Sequence, residues 1–160
     1  MRRDLNNDDT ESTWIELRIN SKRILCATYY RPPLSTSQNA SHIDAFVDSF
    51  RQSLNNASAE RPDCIITLGD FNDRCTEWIS EWIYRHSEFG TKLPDLLRAY
   101  SFHQLVNEPT RITERSANIL DLIITDSPGF ISNVEVLAPV ANLDHSPILC
   151  DLSITYTNEK

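Results

Sequence analysis

From Pro62 to Asn72 the chain runs Pro-Asp-Cys-Ile-Ile-Thr-Leu-Gly-Asp-Phe-Asn. Its first part is a short apolar run, rich in β-branched residues and bounded by Pro62 and Gly69, which is the pattern of a strand buried on both faces. A strand of that kind has to be covered from two sides, and no other stretch of this chain restricts its fold as much. The second part changes character at once. Positions two apart on an extended backbone point the same way, so Asp70 and Asn72 are expected to leave the strand side by side. A carboxylate beside a carboxamide can take a proton from water and hydrogen-bond a substrate oxygen. Gly, Asp and Asn are also the commonest turn residues, and on this stretch alone the site reading and the turn reading both stand.

The length of 160 residues suits one domain with one core. No apolar run approaches the roughly 18–20 residues of a membrane span. The opening Met1-Arg2-Arg3-Asp4-Leu5 has no apolar h-region, so it is not a signal peptide. Residues 1–12 read as a disordered lead-in, 13–155 as the domain and 156–160 as a tail. Cys26, Cys64, Cys75 and Cys150 form no CxxC pair, which disfavours a zinc site or disulfides and fits a reducing, intracellular compartment, nuclear or cytoplasmic. A net charge of −8 weighs against a nucleic-acid binder. A cleft of carboxylates that holds a divalent cation is acidic for its own reasons, so charge leaves the question open.

Thr13–Ile19 alternates like a half-buried strand, Asn20-Ser21-Lys22 is a polar turn, and Ile24–Tyr30 is a second strand, together a hairpin stopped by Pro32-Pro33. Ser35–Ser41 reads as a loop. Ile43, Phe46, Val47, Phe50 and Leu54 recur at helical spacing behind Ser41 as N-cap. A helix between the hairpin and the buried strand predicts an α/β layer arrangement. Trp78–Tyr84 has helical period without clear caps, and Pro94–Tyr100 is a better helix with Pro94 at its first position. Phe102–Val106, Ile119–Thr125, Ile131–Val140 and Ser146–Thr155 read as strands, the last closing the sheet.

Four polar clusters sit at strand ends or within buried strands: Tyr30-Arg31, Asp70 with Asn72, Thr110 with Asn118 and Asp121, and Asp144-His145. Asp121, set among Ile119, Leu120, Leu122, Ile123 and Ile124, needs a polar partner if ionised, and His145 is a candidate.

In order and spacing, Tyr30-Arg31-Pro32-Pro33, Gly69-Asp70-Phe71-Asn72, Pro109-Thr110-Arg111, Asn118-Ile119-Leu120-Asp121 and Leu143-Asp144-His145-Ser146-Pro147 resemble the endonuclease/exonuclease/phosphatase superfamily. The resemblance runs from about Trp14 to Leu152 and is nearest to the apurinic-type endonuclease domain of LINE-like, non-LTR retrotransposons. It implies the C-terminal portion of a four-layer α/β sandwich and metal-dependent hydrolysis of DNA phosphodiesters, with Mg²⁺ or Mn²⁺ as cofactor. By similarity Asp70 would activate the attacking water, with Asn72 holding it and a phosphate oxygen. His145, oriented by Asp121, would stabilise charge on phosphorus, Tyr30 would hydrogen-bond the scissile phosphate, and Asp144 would sit near the metal. Thr110 and Asn118 would lie on the DNA side of the cleft. Arg31, Arg111 and Arg115 are read as phosphate contacts or as solvated surface arginines.

Three departures accompany the match. Asn118 stands where the family usually has Ser, and Leu143 where it usually has Ser. The family's fold also begins with about 80–100 further residues, which carry a catalytic Asn and the Glu that is the principal metal ligand. Glu11 is read as lying in no strand that could replace that Glu. The resemblance therefore implies impaired activity of this chain. A fused or associated reverse transcriptase is the expected partner, with no membrane. Phosphatase action on small phosphoesters, and a catalytically silent retroelement-derived fragment or interaction module, are the competing readings.

Overall fold

The computed structural model describes residues 1–7, 10–33, 40–74, 76–78, 84–85, 87–141 and 143–154. Strands β1 (Glu11–Ile19) and β2 (Lys22–Tyr30) form the expected antiparallel hairpin, turning on Asn20 and Ser21, both at positive φ. Helix α1 (Ala40–Ala59) then crosses over to β3 (Cys64–Asp70), which pairs parallel to β2. Two short strands follow, β4 (Thr76–Glu77) and β5 (Tyr84–Arg85), and then helix α2 (Glu88–Ala99) and β6 (His103–Gln104). A small hairpin, β7 (Arg111–Thr113) and β8 (Ser116–Asn118), precedes β9 (Asp121–Thr125), and β10 (Ile131–Val136) and β11 (Ile148–Leu152) follow. The main sheet has the order β1-β2-β3-β9-β6, so the apolar Cys64–Leu68 run lies at its centre.

The helices cover one face of this sheet. Ile43, Phe46, Val47, Phe50, Leu54 and Ala57 of α1 are all buried, as the helical spacing requires. They meet Tyr29 and Phe71 from the sheet side and Phe89 from α2. The Tyr29 and Phe50 rings stand edge to face with centroids 4.8 Å apart, and Phe46 lies 6.0 Å from Phe71 and 5.8 Å from Phe89. Such pairs add about 0.5–1.5 kcal/mol each beyond the area they bury. This aromatic cluster joins the end of β2, the turn after β3 and the first turn of α2, which places the polar strand ends on a packed base.

Several local expectations need correction. Helix α1 begins at Ala40, so Ser41 is inside it and is not its N-cap. Helix α2 begins at Glu88, where Ser87 Oγ accepts from Gly90 N at 2.8 Å, and Pro94 is interior. The Ser87 cap and the burial of Phe89 and Leu93 extend the helix a full turn and more ahead of the proline. Within Trp78–Tyr84, residues 79–83 lie outside the described residues, and Tyr84 is in β5, paired with Glu77, where a helix was expected. The strand from Ile131 ends at Val136, and β11 pairs with β10 as a separate two-stranded unit and does not close the main sheet. Of the Ser35–Ser41 loop, residues 35–39 lie outside the described residues, as does the 156–160 tail.

The first residues depart from a disordered lead-in. Arg3–Leu5 is a 3-10 turn with Leu5 only 3 % exposed. Arg2 N donates to Trp14 O at 2.7 Å, Trp14 N donates to Asn6 Oδ1 at 3.2 Å, and Arg2 ion-pairs with Glu16 and Glu60. Leu5 was the missed signal, a single apolar residue in a polar run. Glu11 also departs from expectation, because it opens β1, opposite Tyr30.

Candidate active site

Strand register sets one row of side chains. Glu11 is opposite Tyr30, Tyr30 opposite Asp70, and Asp70 opposite Asp121, across β1, β2, β3 and β9. Residues directly opposite in a sheet share a face. Tyr29 is buried on the helix side, so alternation puts Tyr30, which is 41 % exposed, and the rest of the row on the other face. Neighbouring strands are about 4.8 Å apart, which separates Glu11 from Asp70 by two strand spacings and keeps it out of the carboxylate cluster described below.

Asp70 is the last residue of β3. Asn72 follows in the left-handed region, at φ 48°. Its backbone N donates to Asp70 Oδ1 at 2.9 Å, and its Nδ2 donates to Asp70 Oδ2 at 2.8 Å and to Arg31 O at 2.9 Å. The two residues are therefore neighbours through a tight turn, not through continued extension. The turn and the site are one structure. Gly69 allows the approach: it has φ 150°, and a Cβ there would lie 1.8 Å from Tyr29 O.

Asp121 opens β9. Its backbone N and that of Leu120 both donate to Thr110 Oγ1 at 3.0 Å, with Thr110 at 0 % exposure. Thr110 thus fixes where β9 starts and is fully buried, with no surface to offer to DNA where a DNA-contacting place is expected. His145 Nδ1 lies 2.9 Å from Asp121 Oδ2, and the His145 backbone is bridged to Arg111. Ligand atoms of Asp70, Asp121 and His145 all come within 4.8 Å of one another. Burial, then the charge of Asp121, pushes the Asp70 carboxyl up, opposed by the Asn72 bonds and by His145.

The remaining expected residues fall elsewhere. Arg31 is 4 % exposed, neither a phosphate contact nor a solvated arginine. Its Nη1 donates to Phe71 O at 2.7 Å and Asn72 O at 3.2 Å. Arg111 binds Asp144 through Nε at 2.8 Å and Nη2 at 2.6 Å, which holds the Asp144 carboxyl below its usual range. Asp144 is thus paired with an arginine and is not part of the carboxylate–imidazole cluster. Asn118 Nδ2 donates to Arg74 O at 3.3 Å. Arg115 is exposed in the β7–β8 turn. Sequence reasoning also missed Asp73, a buried carboxylate that accepts from Ser87 Oγ at 3.0 Å and from Thr76. Nothing in its neighbourhood along the chain sets it apart from a turn aspartate.

The donor set fits a divalent cation. Two carboxylates and an imidazole converge, and mutual repulsion between Asp70 and Asp121 is the strain that a cation relieves. Carboxylate oxygens suit Mg²⁺ or Mn²⁺, which keep several waters when few protein ligands are supplied.

A family profile described as Endonuclease-reverse transcriptase matches residues 24–149. No curated protein matches the chain. Among solved structures, the endonuclease domain of TRAS1, a telomere-specific non-LTR retrotransposon, is similar at TM-score 0.65 and 18% identity, covering 88% of this chain and 61% of that one. The 3′ phosphatase NExo from Neisseria, bound to a product DNA hairpin, is similar at TM-score 0.59 and 14% identity, covering 88% and 65%. The inositol polyphosphate 5-phosphatase domain of SPsynaptojanin, in complex with inositol (1,4)-bisphosphate and calcium ion, is similar at TM-score 0.56 and 18% identity, covering 88% and 49%. The chain therefore spans about half to two thirds of the length of these proteins. At these identities the likeness shows the fold, an α/β arrangement consistent with part of a larger sandwich.

Proposed function

Because the chain belongs to the endonuclease–reverse transcriptase family, within the endonuclease/exonuclease/phosphatase superfamily, we propose that its site is built for metal-assisted hydrolysis of DNA phosphodiesters, as in a retrotransposon endonuclease. The observation that carries this reading is the convergence of Asp70, Asp121 and His145 at one sheet end, with Asn72 clamped on Asp70.

Asp70 takes the proton of the attacking water. The two Asn72 donors keep its oxygens in place. The Asp121 carboxylate accepts from His145 Nδ1–H, which leaves Nε2 as the ring atom for a phosphoryl oxygen. Tyr30, one strand over from Asp70, offers its hydroxyl to the same phosphate. Mg²⁺ or Mn²⁺ would be held by Asp70 and Asp121 and would supply charge neutralisation at the phosphate. Asp144 would join such a site only by leaving Arg111. The family's description also supports a reverse transcriptase, fused or associated, as partner.

Nicking of supercoiled plasmid with Mg²⁺ or Mn²⁺ tests the reading. Asp70→Ala and His145→Ala are expected to abolish whatever nicking the chain supports. Hydrolysis of inositol phosphates without nicking would replace it by the phosphatase reading. A folded chain that binds no divalent cation in calorimetry and hydrolyses neither substrate would support the catalytically silent one.

A further inference from the structure

Arg31 is the most deeply buried cation among the described residues; its backbone and its Nη1 bond to the Asp70 turn, while Nη2 is buried without a hydrogen-bond partner. Its backbone N donates to Asp70 O at 2.9 Å and its carbonyl accepts from Asn72 Nδ2 at 2.9 Å. Its Nη1 spans the carbonyls of Phe71 and Asn72, and its Cζ lies 3.9 Å from the centroid of the Phe89 ring. Asp73, the next residue of the turn, is buried nearby and is held by Ser87, which is also the N-cap of α2. Arg31 therefore joins three elements: the end of β2, the turn that follows β3, and the first turn of α2.

We propose that Arg31 is the positioning residue of this site, its buried guanidinium fixing the Phe71 and Asn72 carbonyls so that both Asn72 donors stay on Asp70. Three observations support geometry as its task. Asn72 sits at φ 48°, in the left-handed region that asparagine tolerates better than most residues, and this turns its backbone N and Nδ2 onto Asp70. The two carbonyls that Nη1 bonds belong to the peptides that enter and leave Asn72, so they fix the backbone on both sides of it. One guanidinium nitrogen reaches both carbonyls while the planar group lies against the Phe89 ring, a combination of hydrogen bonding and stacking that an ammonium on a flexible stem does not reproduce. Burying an arginine costs free energy, visible as the downward push of burial on its own proton affinity, with Asp73 and Asp70 acting against it. A solvated phosphate contact would not need that burial.

The role rests on the reaction proposed above, in which Asp70 is the base, yet it can be tested without catalysis. The full chain, isotope-labelled, is compared with Arg31→Lys and Arg31→Met by NMR. The readouts are the chemical shifts of the Asn72 backbone and side-chain amides, which donate to the two Asp70 oxygens. Both variants are expected to shift both Asn72 amides toward their free positions, because the bonds to Asp70 loosen. Restoration of both signals by Lys would show that charge alone suffices and would overturn the proposal. A lowered Tm with both signals unmoved would also overturn it, since Arg31 would then be only a packing residue. Should neither variant fold, the wild-type Arg31 Nη protons decide: protection from exchange together with the Asn72 amide supports the clamp, and solvent-like exchange of Nη overturns it. Failure of plasmid nicking would count against the DNA reaction and leave the Asn72 amide result standing.

Discussion

His145 Nδ1 lies 2.9 Å from Asp121 Oδ2, and the backbone N–H of that Asp121 is held by a third residue, the hydroxyl of Thr110. The Thr110 oxygen accepts two backbone donors at once, from Leu120 and Asp121, and is itself buried. Thr110→Val keeps the shape and removes the acceptor, stranding two N–H groups. A destabilisation of about 2–4 kcal/mol is expected from the desolvation cost of unsatisfied buried donors, with Thr110→Ser much closer to wild type. Urea unfolding measures it. His145 imidazole resonances should move in the Val variant, because the carboxylate that orients the ring shifts with β9.

Asp70 links stability and chemistry with opposite signs. Burial first, and the Asp121 charge second, raise its pKa in the folded chain. A raised carboxylate pKa contributes stability below the ordinary aspartate value and loses it as pH rises through the folded value. Asp70→Asn should therefore raise Tm near neutral pH, by about 2–4 °C for a gain near 1 kcal/mol, and the gain should shrink on acidification. Hydrolysis, where present, should rise with pH through the same group and vanish in the variant.

Relief of the Asp70–Asp121 repulsion can come from a cation instead of a mutation. Millimolar Mn²⁺ should raise the Tm of the wild-type chain, and EDTA should reverse the rise. Asp121→Asn and Asp70→Asn should each blunt it. An equal response of all three proteins in differential scanning fluorimetry would place the ion elsewhere.

The Arg111–Asp144 pair predicts the other pH limb. Arg111 holds the Asp144 carboxyl below its usual range, so its contribution is present at neutral pH and is lost as pH falls through that depressed value. Arg111→Met should lower the urea midpoint at about pH 6, and the two proteins should converge as pH falls through the depressed Asp144 value. Because the pair is exposed, added salt should narrow the difference.

Gly69 offers the most severe test of the fold. With φ 150° and Tyr29 O occupying the position of a Cβ, Gly69→Ala must push β2 and β3 apart at the site. A loss on the order of 3 kcal/mol or more is expected, read by chemical denaturation.

Much of this arrangement was legible along the chain. The hairpin, the α1 stripe and the central strand follow from period alone, because burial on one face imposes it. Asp121 and His145 could be paired because a carboxylate among five aliphatic residues needs a partner. What stayed hidden depends on contacts between distant residues. Arg31 reads like any surface arginine before two prolines, and only the meeting of the Asp70 turn with Phe89 buries it. Thr110 and Asn118 belong to one Pro-Thr-Arg…Asn pattern, yet one is fully buried and the other binds the Arg74 carbonyl. Leu5 shows that one apolar side chain can anchor a segment whose composition looks disordered. Helix starts failed for a local reason, since Ser87 outcompetes Pro94 as the boundary of α2.

The row from Glu11 through Tyr30 and Asp70 to Asp121 has a consequence for how the chain tolerates change. Each member belongs to a different strand, and side chains alternate between faces along a strand, so a one-residue slip in any of them turns its residue over to the helix side. The row therefore works as a proofreading device for strand pairing. A single inserted or deleted residue within β2, β3 or β9 scrambles the site even if the core still collapses, whereas the same change in the Asn20–Ser21 turn leaves the alignment of β2, β3 and β9 to one another untouched.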